Sequence, residues 1–300
     1  MNQVPHPTRP PGPIGDPLRP DPLRPEPLRP DPLRPEPLRP DPLRLDPLRL
    51  TVLGSATPYP TAGNPCSGYL VSGGGTRVWM DAGSGTLGPL QRYTGLGELD
   101  AVWISHLHAD HSADLLTAYY GLLFADVRRA APLPLYGPPG IADRLAGFLT
   151  NGPERSPVES AFAVHELSDG HRARVGALTL TSRAVTHGMP AFAVRVEAGG
   201  RALVYSGDTA PCAALTDLAE GCDLLLCEAE SARRPARDEG EHLHHTPEEA
   251  GTTAAAAGAA QLVVTHVGRD LTPDEAVARA SAHYAGPVAH AAPGAVFTLG

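Results

Sequence analysis

The stretch that decides the fold is His106-Leu107-His108-Ala109-Asp110-His111, which directly follows an apolar run over residues 99–104. In an extended segment residues i and i+2 point the same way, so His106 and His108 can hold one metal ion together. The chain must then turn, which would aim Asp110 and His111 across the strand end at a second ion. A histidine-rich surface loop is the alternative, but a strand end is the context that a metal motif requires.

The donor atoms available in this stretch indicate the kind of metal. Imidazole nitrogen and carboxylate oxygen suit zinc, and also manganese or iron, and the motif contains no thiolate that would indicate a structural zinc knot. The four cysteines form no C-x-x-C pair and are too few for a disulfide scaffold; they are Cys66, Cys212, Cys222 and Cys227. We expect them to be reduced thiols.

The first fifty residues differ in composition from the rest. From Asp16 to Leu50 a five-residue unit, Asp/Glu-Pro-Leu-Arg-Pro, runs seven times, and its last two copies end in leucine. Proline removes backbone donors and favours polyproline II, while one leucine per unit offers too little apolar surface to drive folding. We predict a disordered tail over residues 1–50, either a repeat without a role or a docking segment for a proline-binding partner, with the former favoured.

Residues 51–300 are about the size of one domain with a single core. Eight of the 24 basic and seven of the 33 acidic residues lie in the tail, which leaves 16 basic and 26 acidic residues, a net charge of −10. Long nucleic acids are poor partners for such a domain. The N-terminus has no apolar signal segment and no run of about eighteen apolar residues occurs, so we expect a cytoplasmic, soluble chain without a membrane partner.

Strands and helices alternate along this domain. Strands are predicted at 50–54, 67–71, 77–81, 101–105, 177–185, 191–196, 201–206 and 261–265. Thr246-Pro247-Glu248-Glu249 and Thr272-Pro273-Asp274-Glu275 each place threonine at the N-cap, proline at N1 and glutamate at N3, which predicts two helices. Glycine runs at 73–75 and 199–200 predict hairpins. Strand groups in both halves predict two facing sheets with helices outside, an α/β four-layer αββα sandwich.

Three further polar residues lie within two residues of the end of a predicted strand: His187, Asp208 and His266. For any one of them alone, a polar residue at a strand end is a sufficient account. Together with the first motif they supply five histidines and two aspartates. That donor set is enough for two ions with one aspartate bridging them.

This pattern, preceded by Asp81, resembles the metallo-β-lactamase fold superfamily over essentially all of residues 51–300. The resemblance implies two divalent metal ions, with zinc expected and manganese as the alternative. It implies that the first ion is held by His106, His108 and His187, the second by Asp110, His111 and His266, and both by Asp208. It also implies that Asp81 orients a ligand histidine without binding metal.

Local motifs indicate a branch of this superfamily. Residues 186–192, which contain His187 and Pro190-Ala191, are similar to the H-x-x-P-A stretch of ribonuclease Z-like phosphodiesterases, and segments 205–209 and 227–229 continue the similarity. The run His244-x-Thr-x-x-Glu-Ala-Gly most resembles the atypical class II cyclic-nucleotide phosphodiesterases of actinobacteria. That subfamily implies hydrolysis of a 3′,5′-cyclic nucleotide such as cAMP by a metal-bridged hydroxide, and a homodimer.

Three residues are expected to take part in the chemistry. Asp110 would serve both as a ligand and as a catalytic residue. The leaving ribose oxygen needs a proton, which His244 would deliver while Glu228 orients its ring. The neighbouring His242 and His245 are expected to be solvated loop residues.

One departure from the ribonuclease Z pattern narrows the range of expected substrates. Ribonuclease Z carries a long tRNA-gripping arm between the third histidine and the bridging aspartate, whereas His187 and Asp208 are only 21 residues apart. That interval holds one hairpin, which with the acidic domain favours a small-molecule phosphodiester over nucleic acid. The alternatives are a tRNA 3′-end endonuclease, a hydrolase of non-phosphate esters, and a non-catalytic metal-binding protein whose tail is the functional element.

Overall fold

The computed structural model describes residues 46–124, 127–236, 238 and 240–300, so the predicted tail up to residue 45 lies outside the described residues. The strands are Leu48–Gly54 (β1), Gly68–Gly73 (β2), Thr76–Ala82 (β3), Ala101–Trp103 (β4), Leu133–Gly137 (β5), Phe162–Glu166 (β6), Arg172–Val175 (β7), Leu178–Ala184 (β8), Phe192–Ala198 (β9), Arg201–Tyr205 (β10), Leu224–Ala229 (β11), Leu262–Val267 (β12), Val288–His290 (β13) and Val296–Leu299 (β14). The α-helices are Leu87–Leu90 (α1), Ala109–Ser112 (α2), Asp114–Phe124 (α3), Ile141–Leu149 (α4), Ala213–Leu218 (α5), Pro247–Ala257 (α6) and Pro273–Ser281 (α7).

These strands form two seven-stranded sheets with the same internal plan. The first sheet has the order β14-β1-β2-β3-β4-β5-β6 and the second the order β13-β12-β11-β10-β9-β8-β7. In each, the pairing changes from antiparallel to parallel at one strand, which is β3 in the first sheet and β10 in the second. The predicted hairpins are confirmed: they join β2 to β3 and β9 to β10, and their paired glycines have positive φ as a two-residue hairpin turn requires.

Three apolar layers account for the four-layer arrangement. One core lies between the sheets and includes Tyr69, Trp103 and Tyr205. A second core packs the first sheet against α3 and α4, and a third packs the other sheet against α5, α6 and α7. The predicted α/β αββα sandwich is therefore confirmed.

The start of the folded domain differs from the expected boundary at residue 51. The strand β1 begins at Leu48 and pairs with β14, and both Leu48 and Leu50 are buried in the core between the sheets. The reason is the leucine that replaces proline in the last repeat unit, because Leu50 has the backbone N–H that a central strand needs. Part of the seventh repeat unit thus belongs to the sheet.

The helices α6 and α7 begin at the residues that the sequence predicts. Thr246 and Thr272 cap α6 and α7, and each accepts a hydrogen bond from the backbone N–H of the glutamate three residues on. Within the described part of the chain, no helix is both long enough and apolar enough to cross a membrane.

Candidate metal centre

The candidate metal centre lies where strands of both sheets end. The segment after β4 carries His106 and His108, and the four-residue helix α2 begins at Ala109, so that Asp110 and His111 lie in its single turn. This is the turn that the sequence predicts after His108. From the second sheet, the loop after β8 carries His187, the loop after β10 carries Asp208, and β12 carries His266.

The first group of donors is His106, His108 and His187. The Nε2 atom of His106 lies 3.0 Å from Nδ1 of His108, and the latter lies 3.3 Å from Nε2 of His187. Together with a carboxylate oxygen of Asp208, one donor atom from each residue falls within 4.8 Å of the others. These four residues could therefore hold one ion.

The second group of donors is Asp110, His111 and His266. The Nε2 atom of His266 lies 3.2 Å from Nε2 of His111 and 3.3 Å from Oδ2 of Asp110. All three residues are buried. The grouping is the one that the family resemblance implied for the second ion.

Asp208 lies between the two groups. Its Oδ2 atom is 3.6 Å from Nε2 of His106 on one side, and 3.3 Å and 3.6 Å from Nε2 of His111 and His266 on the other. Burial disfavours its charged form, but the facing imidazoles of His111 and His266 hold the pKa of Asp208 well below its usual range. An ionised carboxylate in this position can bridge two cations.

The residues present fit a pair of divalent ions. Among the described side chains, Oδ1 of Asp208 and Nδ1 of His266 are buried polar atoms without a hydrogen-bond partner. Burial, followed by the charge of neighbouring imidazoles, lowers the pKa of His106 well below its usual value, and burial lowers that of His187. Against the effect of burial, the facing carboxylates raise the pKa of His111 and of His266. Imidazole nitrogens and carboxylate oxygens without thiolates are the donor set of a catalytic zinc or manganese centre.

Asp81, at the end of β3, forms a hydrogen bond with the donor residue His111. One oxygen of its fully buried carboxylate accepts hydrogen bonds from Nδ1 of His111 at 2.7 Å and from the Tyr205 hydroxyl at 2.8 Å. The other oxygen accepts one from the backbone N–H of Ser105 at 2.7 Å. With its Nδ1–H donated to Asp81, His111 presents Nε2 to the donor cluster, which is the orienting role implied by the resemblance.

His244 lies beside the cluster, in contact with Glu228. Its Nδ1 atom is 3.0 Å from Oε1 of Glu228, which is buried in β11, and 2.9 Å from Oε2 of Glu230. Burial by itself lowers the pKa of His244, but the hydrogen bonds to these two carboxylates raise it to about 11. Its ring stacks on His266 at 6.2 Å between centroids and meets His187 edge-on at 5.0 Å.

The expectation that His242 and His245 are solvated is wrong. His245 is fully buried, with Nδ1 at 2.6 Å from the Thr209 carbonyl oxygen and Nε2 at 3.1 Å from the Thr253 hydroxyl. It ties the loop before α6 to the residue after Asp208. His242 is half-buried and contacts Glu249 at 3.0 Å.

Sequence reasoning missed Glu230. It follows Glu228 at i+2 just beyond a strand, which is the same spacing that indicated His106 and His108. The same i and i+2 pattern at the end of a strand would have identified Glu230 as a candidate site residue.

Two cavities meet at His244. A cavity of about 270 Å³ is lined by Thr57, Pro58, His108, Ala109, Asp110, Asp208, Glu230, His244 and His266. A wider groove of about 820 Å³ shares Glu230 and His244 with it, and its other charged lining residues are Arg233, Glu241 and Asp270. Carboxylates therefore outnumber cations along the described wall of the groove.

Comparisons with known proteins identify the family of the chain. The family model described as the beta-lactamase superfamily domain matches residues 76–267. The uncharacterized protein Rv1339 of Mycobacterium tuberculosis is 36% identical over 241 residues, covering 79% of this chain and 87% of that protein. Ribonuclease Z of Myxococcus xanthus is 31% identical over 289 residues, covering 79% of this chain and 93% of that protein.

A solved structure extends the comparison to the whole described fold. The metallo-β-lactamase fold protein YhfI from Bacillus subtilis superposes with a TM-score of 0.73 at 28% identity, covering 84% of this chain and 99% of that one. The chain therefore belongs to the metallo-β-lactamase superfamily, a family of metal-dependent hydrolases, and has ribonuclease Z among its relatives.

Proposed function

We propose that this protein is a dinuclear metal-dependent phosphodiesterase that hydrolyses a small phosphodiester, with a 3′,5′-cyclic nucleotide such as cAMP as its substrate. The observation that carries the proposal is the placement of the His244 imidazole, held by carboxylates, directly beside the seven-residue donor cluster. Phosphodiester hydrolysis needs both a cationic clamp for the phosphoryl oxygens and a proton for the leaving oxygen.

The donor groups divide the binding of the ions between them. The first ion would be held by His106, His108 and His187, the second by Asp110, His111 and His266, and both by Asp208. When bound, two such ions supply Lewis acidity and lower the pKa of a water molecule toward neutrality. The protein's part is to fix the donors, and Asp81 does so for His111 through its 2.7 Å hydrogen bond.

His244 would act on the leaving group. Its Nδ1–H stays with Glu228 and Glu230, so the opposite ring nitrogen, Nε2, is the one that gives its proton to the departing ribose oxygen. General-acid assistance of this kind contributes about 10²–10⁴-fold in rate.

The surroundings of the site support a compact substrate. Glu230, Glu241 and Asp270 in the adjoining groove would repel the further phosphates of an RNA chain that extended past His244. Between His187 and Asp208 the chain forms only the short hairpin of β9 and β10, which leaves no room for a substrate-gripping arm. A cyclic mononucleotide has a single phosphate and avoids this repulsion.

The test is hydrolysis of 3′,5′-cyclic AMP by purified protein loaded with zinc or manganese, with the Asp208→Ala variant purified in parallel. Turnover by the wild-type protein and not by the variant is the expected result. A protein that carries two ions per chain and leaves cyclic AMP intact contradicts the proposal. Cleavage of a tRNA precursor at its 3′ end by that same protein would then assign it the activity named for its ribonuclease Z relatives.

A further inference from the structure

Glu230 connects three parts of the site. Its Oε2 atom lies 2.9 Å from Nδ1 of His244 and 3.7 Å from Nδ1 of His266. Its other oxygen, Oε1, accepts a hydrogen bond of 3.3 Å from the hydroxyl of Thr57, which lines the cavity over the donor cluster. One carboxylate thus contacts the proposed proton donor, a proposed metal ligand and the wall of the cavity.

Glu228 anchors the His244 ring, but none of its described contacts reaches His266. Its Oε1 atom also accepts the backbone N–H of Thr209 at 2.8 Å, and its Oε2 accepts that of Glu230 at 3.1 Å. Two backbone donors therefore fix this carboxylate. The Glu230 carboxylate lies against the rings of both His244 and His266, so it can fix the position of one ring relative to the other.

The Glu230 side chain can be tested separately from its backbone. The backbone carbonyl of Glu230 packs so closely against Gly268 that a Cβ at residue 268 would overlap it. Exchanging the carboxylate for an amide leaves that packing unchanged and keeps the side chain's volume. It removes one negative charge and replaces an oxygen with an N–H donor.

We propose that Glu230 is a positioning residue that holds the His244 imidazole beside His266, so that the proton-donating Nε2 of His244 keeps a fixed place next to the metal ligands. The inference rests on the proposed function. As the P–O bond breaks, its electron pair stays on the leaving oxygen, which takes the Nε2 proton of His244. Nδ1–H stays on the ring, and the neutral imidazole regains its Nε2 proton from the attacking water through solvent.

The first experiment compares leaving groups in the variant Glu230→Gln. Cyclic AMP expels an alkoxide that needs a proton, whereas bis(4-nitrophenyl) phosphate expels a phenolate that does not. We expect Glu230→Gln to lower kcat for cyclic AMP about 10–100-fold with an unchanged KM, and to leave kcat for the nitrophenyl ester unchanged. The matched control is Glu241→Gln, a carboxylate in the same groove with no described contact to His244.

A double variant separates positioning from general damage. In a His244→Ala background, adding Glu230→Gln should cause no further loss on cyclic AMP, because the residue acts through His244. Equal losses on both substrates, or additive losses in the double variant, would overturn the proposal.

An NMR measurement tests the contact between Glu230 and His244 without the need for turnover. In the zinc-loaded protein, the imidazole ¹H–¹⁵N resonance that disappears in His244→Ala should shift in Glu230→Gln and stay in place in Glu241→Gln. An unshifted resonance refutes the role of Glu230 whatever the substrate is. If the wild-type protein hydrolyses neither phosphodiester, the proposed function is wrong. The NMR spectrum then remains the test of whether Glu230 positions His244.

Discussion

At the scale of single residues, the site depends on two strained positions. Among the described non-glycine residues, Asp81 and His266 have positive φ, 51° and 48°. Such left-handed conformations cost free energy for residues with a side chain and persist where the surrounding contacts fix them. Both lie at strand ends of the site, and both turn their side chains toward the donor cluster.

Replacing Asp208 and His244 separately by alanine should distinguish metal binding from the catalytic step. Because Asp208 faces both donor groups, Asp208→Ala should lose both metal content and turnover. His244→Ala should keep its metal and lose about 10²–10⁴-fold in kcat, since it removes only the proton donor. Metal analysis and steady-state kinetics on the two purified proteins check this. A fully loaded His244→Ala protein with wild-type turnover would remove His244 from the mechanism.

The residue Gly83 is required by a close approach of two backbones. A Cβ at this position would overlap the carbonyl oxygens of Asp110 and Ser67. We expect Gly83→Ala to lower the free energy of unfolding by about 1–3 kcal/mol and to reduce metal content, because the turn that carries Asp110 must move. Urea denaturation and metal analysis measure both effects. Gly88→Ala, where a Cβ meets open space, is the control and should be close to neutral.

At the scale of elements, the capped helices and most apolar strands were predicted, whereas the buried strand β11 and several polar strands were not. The helices α6 and α7 begin at the threonines that the sequence indicated. The strand β5 contains Pro134, which argues against a strand, and β6 and β7 expose much of their surface. Their pairing comes from neighbouring strands, which no local pattern reports.

The site was predictable where ligands follow strands and not where loops fold over it. His187, Asp208 and His266 all lie within two residues of the end of a predicted strand, and the structure brings them to the first motif. His245 contacts Thr253, eight residues further on in α6, and the carbonyl of Thr209, 36 residues earlier in the chain. A local pattern of histidines between polar residues gives no sign of such partners.

An ion pair joins α6 to α7 and should make stability depend on pH. Arg279 holds the Glu248 carboxylate with two hydrogen bonds of 2.7 Å and 2.8 Å, and these lower the pKa of Glu248 below 4.5. The pair therefore stabilises the fold above about pH 4.5, and its contribution is lost as the pH falls through the folded pKa.

The variant Glu248→Gln tests this interaction. We expect it to lower the free energy of unfolding by about 0.5–1 kcal/mol at neutral pH, a value that allows for solvent screening of a partly exposed pair. The difference from the wild-type protein should shrink as the pH is lowered below 4.5. Denaturation curves across this range measure it, and Glu220→Gln, whose carboxylate has no described partner, is the control. A constant difference at all pH values would contradict the assignment.

At the scale of the whole molecule, the boundary between repeat and domain can be located by truncation. Removing residues 1–45 should leave the melting temperature and hydrolysis unchanged. Removing residues 1–50 also deletes Leu48 and Leu50 from the core, and each such loss costs about 2–5 kcal/mol. Thermal melting of both truncated proteins distinguishes these cases. A large loss of stability on removing residues 1–45 alone would show that the repeat takes part in folding.

Removing the ions should destabilise the fold as a whole, because only the folded chain brings the donors together. At a free metal concentration of about 1,000 times Kd, binding contributes about 4 kcal/mol. Chelation should lower the melting temperature of the wild-type protein and leave that of Asp208→Ala unchanged. Equal melting shifts in both proteins would indicate that chelation acts elsewhere.

The distribution of the donor residues between the two halves of the chain bears on when both metal ions can bind. The part of the chain from β1 to β6, which is synthesised first, carries His106, His108, Asp110 and His111. The part from β7 to β12 carries His187, Asp208 and His266. A ribosome-bound chain with only its first half therefore offers an incomplete set of donors. The complete donor set can form only after His266 has been synthesised, so we expect binding of both ions to follow the folding of both halves of the domain.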